Sequence, residues 1–183
     1  GFTPLHVACH NGHAKTVKIL VNFGAQINCC TNDGETPLHV ACQNGHKDIV
    51  EFLQLSGADI NCADVNGFTP LYAVSEIGHA EIVTYLVKFG AEINRCTNKG
   101  RAPLHIACRK GYKDIVEHLH LSGADINCSD VNGYTPLLAA SFSGHQETVE
   151  YLAESGVEIN RADNAGFTPL YVASQNGHEE TVK

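Results

Sequence analysis

The chain has 183 residues, of which 43% are apolar, and sets 20 Asp and Glu against 12 Lys and Arg for a net charge of -8. This composition supports a buried core and excludes a disordered chain, while the acidic balance argues against general nucleic-acid binding, which needs clustered positive charge. No apolar run approaches the roughly 18 residues of a membrane-spanning helix, so no direct membrane insertion is expected.

The chain opens at Gly1-Phe2-Thr3-Pro4, with neither Met nor a leader, and so reads as a piece of something longer. Thr3-Pro4 starts a first helix: the hydroxyl can cap it, and Pro suits the first helical position. Leu5, Ala8 and Cys9 fall on one face of that helix. Gly12 ends it. A second helix follows, with Val17, Leu20 and Val21 as its apolar stripe, and Gly24 ends it. Ala25 to Asp33 is an extended, turn-rich stretch holding Ile27. Two helices of about ten residues close no core alone, but stacked copies cover one another's apolar faces.

The copies are present. All six prolines, from Pro4 to Pro169, lie 33 residues apart, and all 17 glycines fall on three registers of that period. No Gly or Pro is left over, so no linker or second domain is expected. The pattern G-x-T-P-L-H-x-A, then G-H-x-x-x-V-x-x-L, then G-A-x-I-N, resembles the ankyrin repeat. The resemblance spans the chain as repeats 1–33, 34–66, 67–99, 100–132 and 133–165 and a partial sixth over 166–183. It implies an all-α repeat solenoid, a single array of helix-turn-helix pairs plus hairpin loops. It further implies a concave groove, made by hairpins and first helices, that binds other proteins. Further ankyrin repeats are expected at both ends of the parent chain, because neither end carries a polar capping repeat; the segment alone is expected to fray or self-associate. Ala102 replaces the usual Thr and removes a capping hydroxyl worth ~1 kcal/mol.

A second period marks candidate residues. Repeats 34–66 and 100–132 agree at 24 of 33 positions, whereas neighbours 34–66 and 67–99 agree at 13. Among the nine differences between the first pair, Glu35 becomes Arg101, Gln43 becomes Arg109 and Asn44 becomes Lys110. By the resemblance these positions face the groove. With Lys99 they give four cations on one local surface, suited to an acidic segment or carboxylate. Drift on a solvated surface is the alternative. Phe68, Ile77, Tyr134 and Phe142 occupy the same groove positions, and exposed apolar side chains grouped with Arg suggest an interface. For Phe68 and Tyr134, packing on their own hairpins is an equal reading. Much of the acid is placed on the second helices, as in Lys47-Asp48-Ile49-Val50-Glu51, on a solvated outer face.

Chemistry is mostly explained away by the period. His6, Cys9, His10 and His13 have ligand-like spacing, but only His10 departs from a register, so no metal is expected. His6, His39 and His105 are read as bonding turn backbone. His13, His46, His79, His145 and His178 are read as starting second helices. No nucleophile, base and orienting set stands outside the repeat and no phosphate-cradling loop exists, so neither an active site nor a cofactor is expected. Stacked repeats exceed the reach of a disulfide, and free cysteines as small buried residues fit a reducing compartment, the cytoplasm first and the nucleus second. The family resemblance extends to substrates of an asparaginyl hydroxylase. Asn61, Asn94, Asn127 and Asn160 each follow the favoured Leu, acid, Ile pattern, although tying hairpins together is the preferred role for them. The expected function is therefore a non-catalytic recognition module for a protein with an acidic, partly apolar stretch. A structural spacer array, or a regulatory segment of a larger enzyme or ion channel, is the alternative.

Overall fold

The computed structural model describes all residues from 1 to 183 and is all-helical, with twelve helices and no strand. The helices are α1 (Pro4–His10), α2 (Ala14–Asn22), α3 (Pro37–Gln43), α4 (Lys47–Leu55), α5 (Pro70–Ile77), α6 (Ala80–Lys88), α7 (Pro103–Lys110), α8 (Lys113–Leu121), α9 (Pro136–Ser143), α10 (Gln146–Glu154), α11 (Pro169–Gln175) and α12 (Glu179–Val182). No helix is long and apolar enough to cross a membrane.

Each first helix starts where backbone chemistry dictates. Thr36 sits in extended conformation before Pro37, and its hydroxyl accepts a hydrogen bond from the His39 amide at 3.4 Å. The imidazole answers from the other side, with Nδ1 accepting from the Thr36 amide at 3.2 Å. Ala102 has no hydroxyl to offer, and only the half of this arrangement through His105 Nδ1 survives, at 3.1 Å. Gly12, with φ +70°, ends the first helix of its repeat, and a Cβ there would lie 2.6 Å from the ring of His46. That ring reaches back to the preceding repeat, its Nε2 lying 3.2 Å from the His10 carbonyl. The same reach recurs from His145 to Arg109 and from His178 to Phe142, each at 3.0 Å. His46, His145 and His178 therefore each fasten their repeat to the one before it.

The chain forms two compact units, Gly1–Glu92 and Ile93–Lys183. In the first, α1, α3 and α5 lie side by side in one layer and α2, α4 and α6 in a second, each first helix packing on the second helix of its repeat. Leu38, Cys42, Leu53, Leu71, Val74 and Leu86 are fully buried between the layers. The second unit repeats the scheme, with α7, α9 and α11 in one layer and α8, α10 and α12 in the other. Leu104, Cys108, Leu119, Leu138 and Leu152 fill its core. The boundary falls in the loop of the third repeat, while the sequence period runs through it unchanged.

Asparagines lace successive loops together. Asn61 Nδ2 donates to the Gly90 carbonyl at 3.1 Å, and its Oδ1 accepts from the Glu92 amide at 2.8 Å. Asn28 makes the same two bonds to Gly57 and Asp59, and Asn94 makes them to Gly123 and Asp125. Each satisfies a helix-ending carbonyl that would otherwise lack a donor.

Candidate protein-binding faces

The hairpin before α5 positions the first face. Asp64 Oδ1 accepts from the Asn66 and Phe68 amides at 2.8 and 2.7 Å, which folds the tip and sets the backbone of Phe68. The Val65 amide donates to the Asp33 carbonyl at 3.0 Å, tying this tip to the one before it. His39 adds a third hold. Its Nδ1 is occupied as an acceptor, so Nε2 carries the proton and donates to the Phe68 carbonyl at 2.9 Å. Burial lowers the pKa of His39 below its ordinary 6.5, against the opposing pull of that carbonyl and nearby carboxylates. His6 and His105 make the same reach to Glu35 and Tyr134, as read from the sequence.

With its backbone fixed, the Phe68 ring stacks on Tyr72, centroids 4.7 Å apart and planes 4° from parallel. Phe68 is half-buried, so its own hairpin and helix do take part of it. Ile77, the last residue of α5, is 46% exposed. Phe68 and Ile77 line one open cavity of about 420 Å³, together with Phe2, His10, Val40 and Glu76. The first unit thus brings together two of the residues marked in the sequence, Phe68 and Ile77, and adds others to them.

The other six marked residues, Lys99, Arg101, Arg109, Lys110, Tyr134 and Phe142, belong to the second unit. Lys99, Arg109 and Lys110 are exposed, and Phe142 is 50% exposed at the end of α9. Arg101 is engaged within the fold. Its Nε donates to Asp130 Oδ2 at 3.0 Å, and that carboxylate side chain is only 1% exposed. Asp130 Oδ1 meanwhile accepts from the Asn132 and Tyr134 amides at 2.8 and 3.0 Å, the bonds that Asp64 makes in its hairpin. Burial pushes the Asp130 carboxyl up, but the two amides and the guanidinium outweigh it and its pKa is lowered. Arg101 is therefore a hairpin fastener, and the free cations of this face are Lys99, Arg109 and Lys110. Tyr134 lies within the field of Arg109 and Arg101; burial nevertheless pushes its phenol up to about 12.

Much of the acid lies on the second helices, as expected, and in the first unit it reaches the hairpins as well. Glu51 and Glu81 do lie on second helices, and Lys47 pairs with Glu81 at 2.8 Å. But Asp33, Glu35, Asp64 and Glu76 sit on hairpins and a first helix of the first unit. Glu76 belongs to neither repeat 34–66 nor repeat 100–132, so the differences between those two repeats carry no sign of it. The signal was available in another form: every Lys of residues 1–92 falls on a second helix.

The asparagines of the hydroxylation pattern divide. Asn61 and Asn94 have both ends of the side-chain amide engaged, Asn127 Oδ1 accepts from the Glu158 amide at 3.0 Å, and Asn160 is exposed.

The family model described as ankyrin repeats, in three copies, matches residues 1–64, 53–130 and 111–183, and so spans the chain. No curated protein matches it. The chain belongs to the ankyrin-repeat family, whose repeats generally serve as protein-protein interaction modules.

Proposed function

We propose that this chain binds a partner protein through its hairpins and first helices, and that it acts by binding rather than by turnover. In the second unit the partner would present an acidic, partly apolar stretch. Lys99, Arg109 and Lys110 would meet its carboxylates, and Tyr134 and Phe142 its apolar side chains. The observation that supports this reading is that Arg109 and Phe142 are exposed in the unit whose Tyr134 backbone is held by both His105 and Asp130. A cation and an aromatic on a preorganised backbone bind with little ordering cost. The fully buried thiols of Cys9, Cys42 and Cys108, serving as small core residues, support a reducing compartment such as the cytoplasm.

The test is affinity capture on the full chain, wild type against Arg109→Glu/Lys110→Glu, followed by titration of the purified partner. Arg101 is left intact so that the hairpin is undisturbed. Loss of affinity of about tenfold or more is expected. Equal affinity for both would contradict the reading.

A further inference from the structure

The first unit presents the opposite charge on its corresponding face. Its four lysines, Lys15, Lys18, Lys47 and Lys88, all lie on α2, α4 and α6. Lys47 is paired with Glu81, Lys18 lies over the Phe52 ring and Lys88 over that of Phe89. None stands on a first helix or a hairpin. Those elements instead carry Asp33, Glu35, Asp64 and Glu76.

Glu76 and Glu35 border apolar surface. Glu76 lines the open cavity of about 420 Å³ whose walls include Phe2, Val40, Phe68 and Ile77. No Lys or Arg side chain of the unit pairs with Glu76. The Glu35 carboxylate lies next to the same space, accepting from Gln43 Nε2 at 2.7 Å, and Gln43 is itself a lining residue. The cavity has the size of a ligand cleft, which runs about 300–1,000 Å³. It is open to solvent, and its lining sets apolar side chains beside His10, Gln43, Asn44 and Glu76, with no Lys or Arg.

We propose that this cleft takes a cationic segment of a protein partner: an apolar side chain seated among Phe2, Phe68 and Ile77, with an adjacent Arg or Lys reaching Glu76 and Glu35. The assignment rests on the reading of hairpins and first helices as the binding face, and it deepens that reading by naming the partner's chemistry. Charge complementarity selects the occupant, since an acidic stretch suited to Arg109 and Lys110 would meet like charge at Glu76. An Arg fork satisfies a carboxylate bidentately, and the ring faces of Phe2 and Phe68 add a favourable surface for a cation. A partner that engages both units would therefore carry basic and acidic stretches in separate parts of its sequence.

The experiment is fluorescence anisotropy on the full chain with two labelled synthetic peptides. One sets Leu and Phe between Lys and Arg; the other has the same apolar residues between Asp and Glu. The basic peptide is expected to bind wild type and to lose about tenfold or more in affinity with Glu76→Lys. It is expected to lose affinity with Ile77→Asp and to bind Lys15→Ala, an exposed change on α2 outside the cleft, as it binds wild type. Glu76 and Ile77 are solvent-accessible, and thermal melts of both variants confirm that the fold is intact. Unchanged binding to Glu76→Lys with loss in Ile77→Asp would overturn the charge assignment while leaving the binding face in place. Unchanged binding to both would overturn the face as well. Preference of this cleft for the acidic peptide, or no binding of the basic peptide to wild type, would also overturn the proposal.

Discussion

Arg101 Nε donates to Asp130 Oδ2 at 3.0 Å, and Asp130 with its other oxygen holds the amides of Asn132 and Tyr134. One guanidinium thus supports the hairpin that presents Tyr134. Removing it leaves a buried carboxylate short of a donor. Arg101→Ala is expected to destabilise the chain by about 1–3 kcal/mol, the range for a hydrogen bond to a charged group. Arg109→Ala and Lys110→Ala, both exposed, are expected to stay within about 0.5 kcal/mol of wild type. Urea midpoints compared at equal m-value check this, and equal loss from all three would contradict it.

The pH dependence of that hairpin follows in sign. The folded pKa of Asp130 is lowered from its ordinary 3.8. Its contribution is therefore fully present above that value and is lost as pH falls through the folded pKa. Histidine runs the same way on a higher window. Burial lowers His39 and His105 below 6.5, because it removes water from the charged imidazolium. Their stability is present above 6.5 and declines as pH falls toward their folded pKa values. NMR titration of the two rings is expected to give midpoints below 6.5, with midpoints above that value contradicting the effect of burial.

Restoring the missing cap gives a stabilising prediction. Thr36, Thr69, Thr135 and Thr168 all accept from the amide three residues on, and Ala102 alone among the buried caps does not. Ala102→Thr is expected to raise stability by about 0.5–1 kcal/mol. Thermal melts check it, and destabilisation would mean that the site, with Ala102 fully buried, has no room for the hydroxyl and methyl.

The asparagine ladder predicts a graded series. Asn61→Ala removes a donor to Gly90 and an acceptor from Glu92 at once. A loss of about 0.5–1.5 kcal/mol is expected, the net worth of hydrogen bonds whose groups water can reach. Asn160→Ala, at an exposed position, is expected to be near neutral. Chemical denaturation of both variants decides it, and a neutral Asn61→Ala would remove the ladder from the account.

The sequence made the fold legible because each element announces its own ends. Thr-Pro starts a helix, Gly at positive φ stops it, and the 33-residue spacing repeats both. The bonding role of His6, His39 and His105 was readable for the same reason, since a residue on a register serves the repeat. The binding face was readable only by position. Arg101 looked like a free cation because its partner lies 29 residues on, at the tip of the next hairpin. Phe68 could be placed on the face but not divided between cleft and core until Tyr72 was seen beneath its ring. The acidic edge at Glu76 escaped because substitutions were compared between two repeats while the cleft draws on three.

Hydrogen exchange on the full chain, free and with its captured partner bound, tests the central claim most directly. The account predicts added protection in the hairpin tips around Phe68 and Tyr134 and in the last turns of α5, α7 and α9, with α2, α4, α6, α8 and α10 unchanged. Protection confined to those second helices would place the partner on the opposite layer and contradict it.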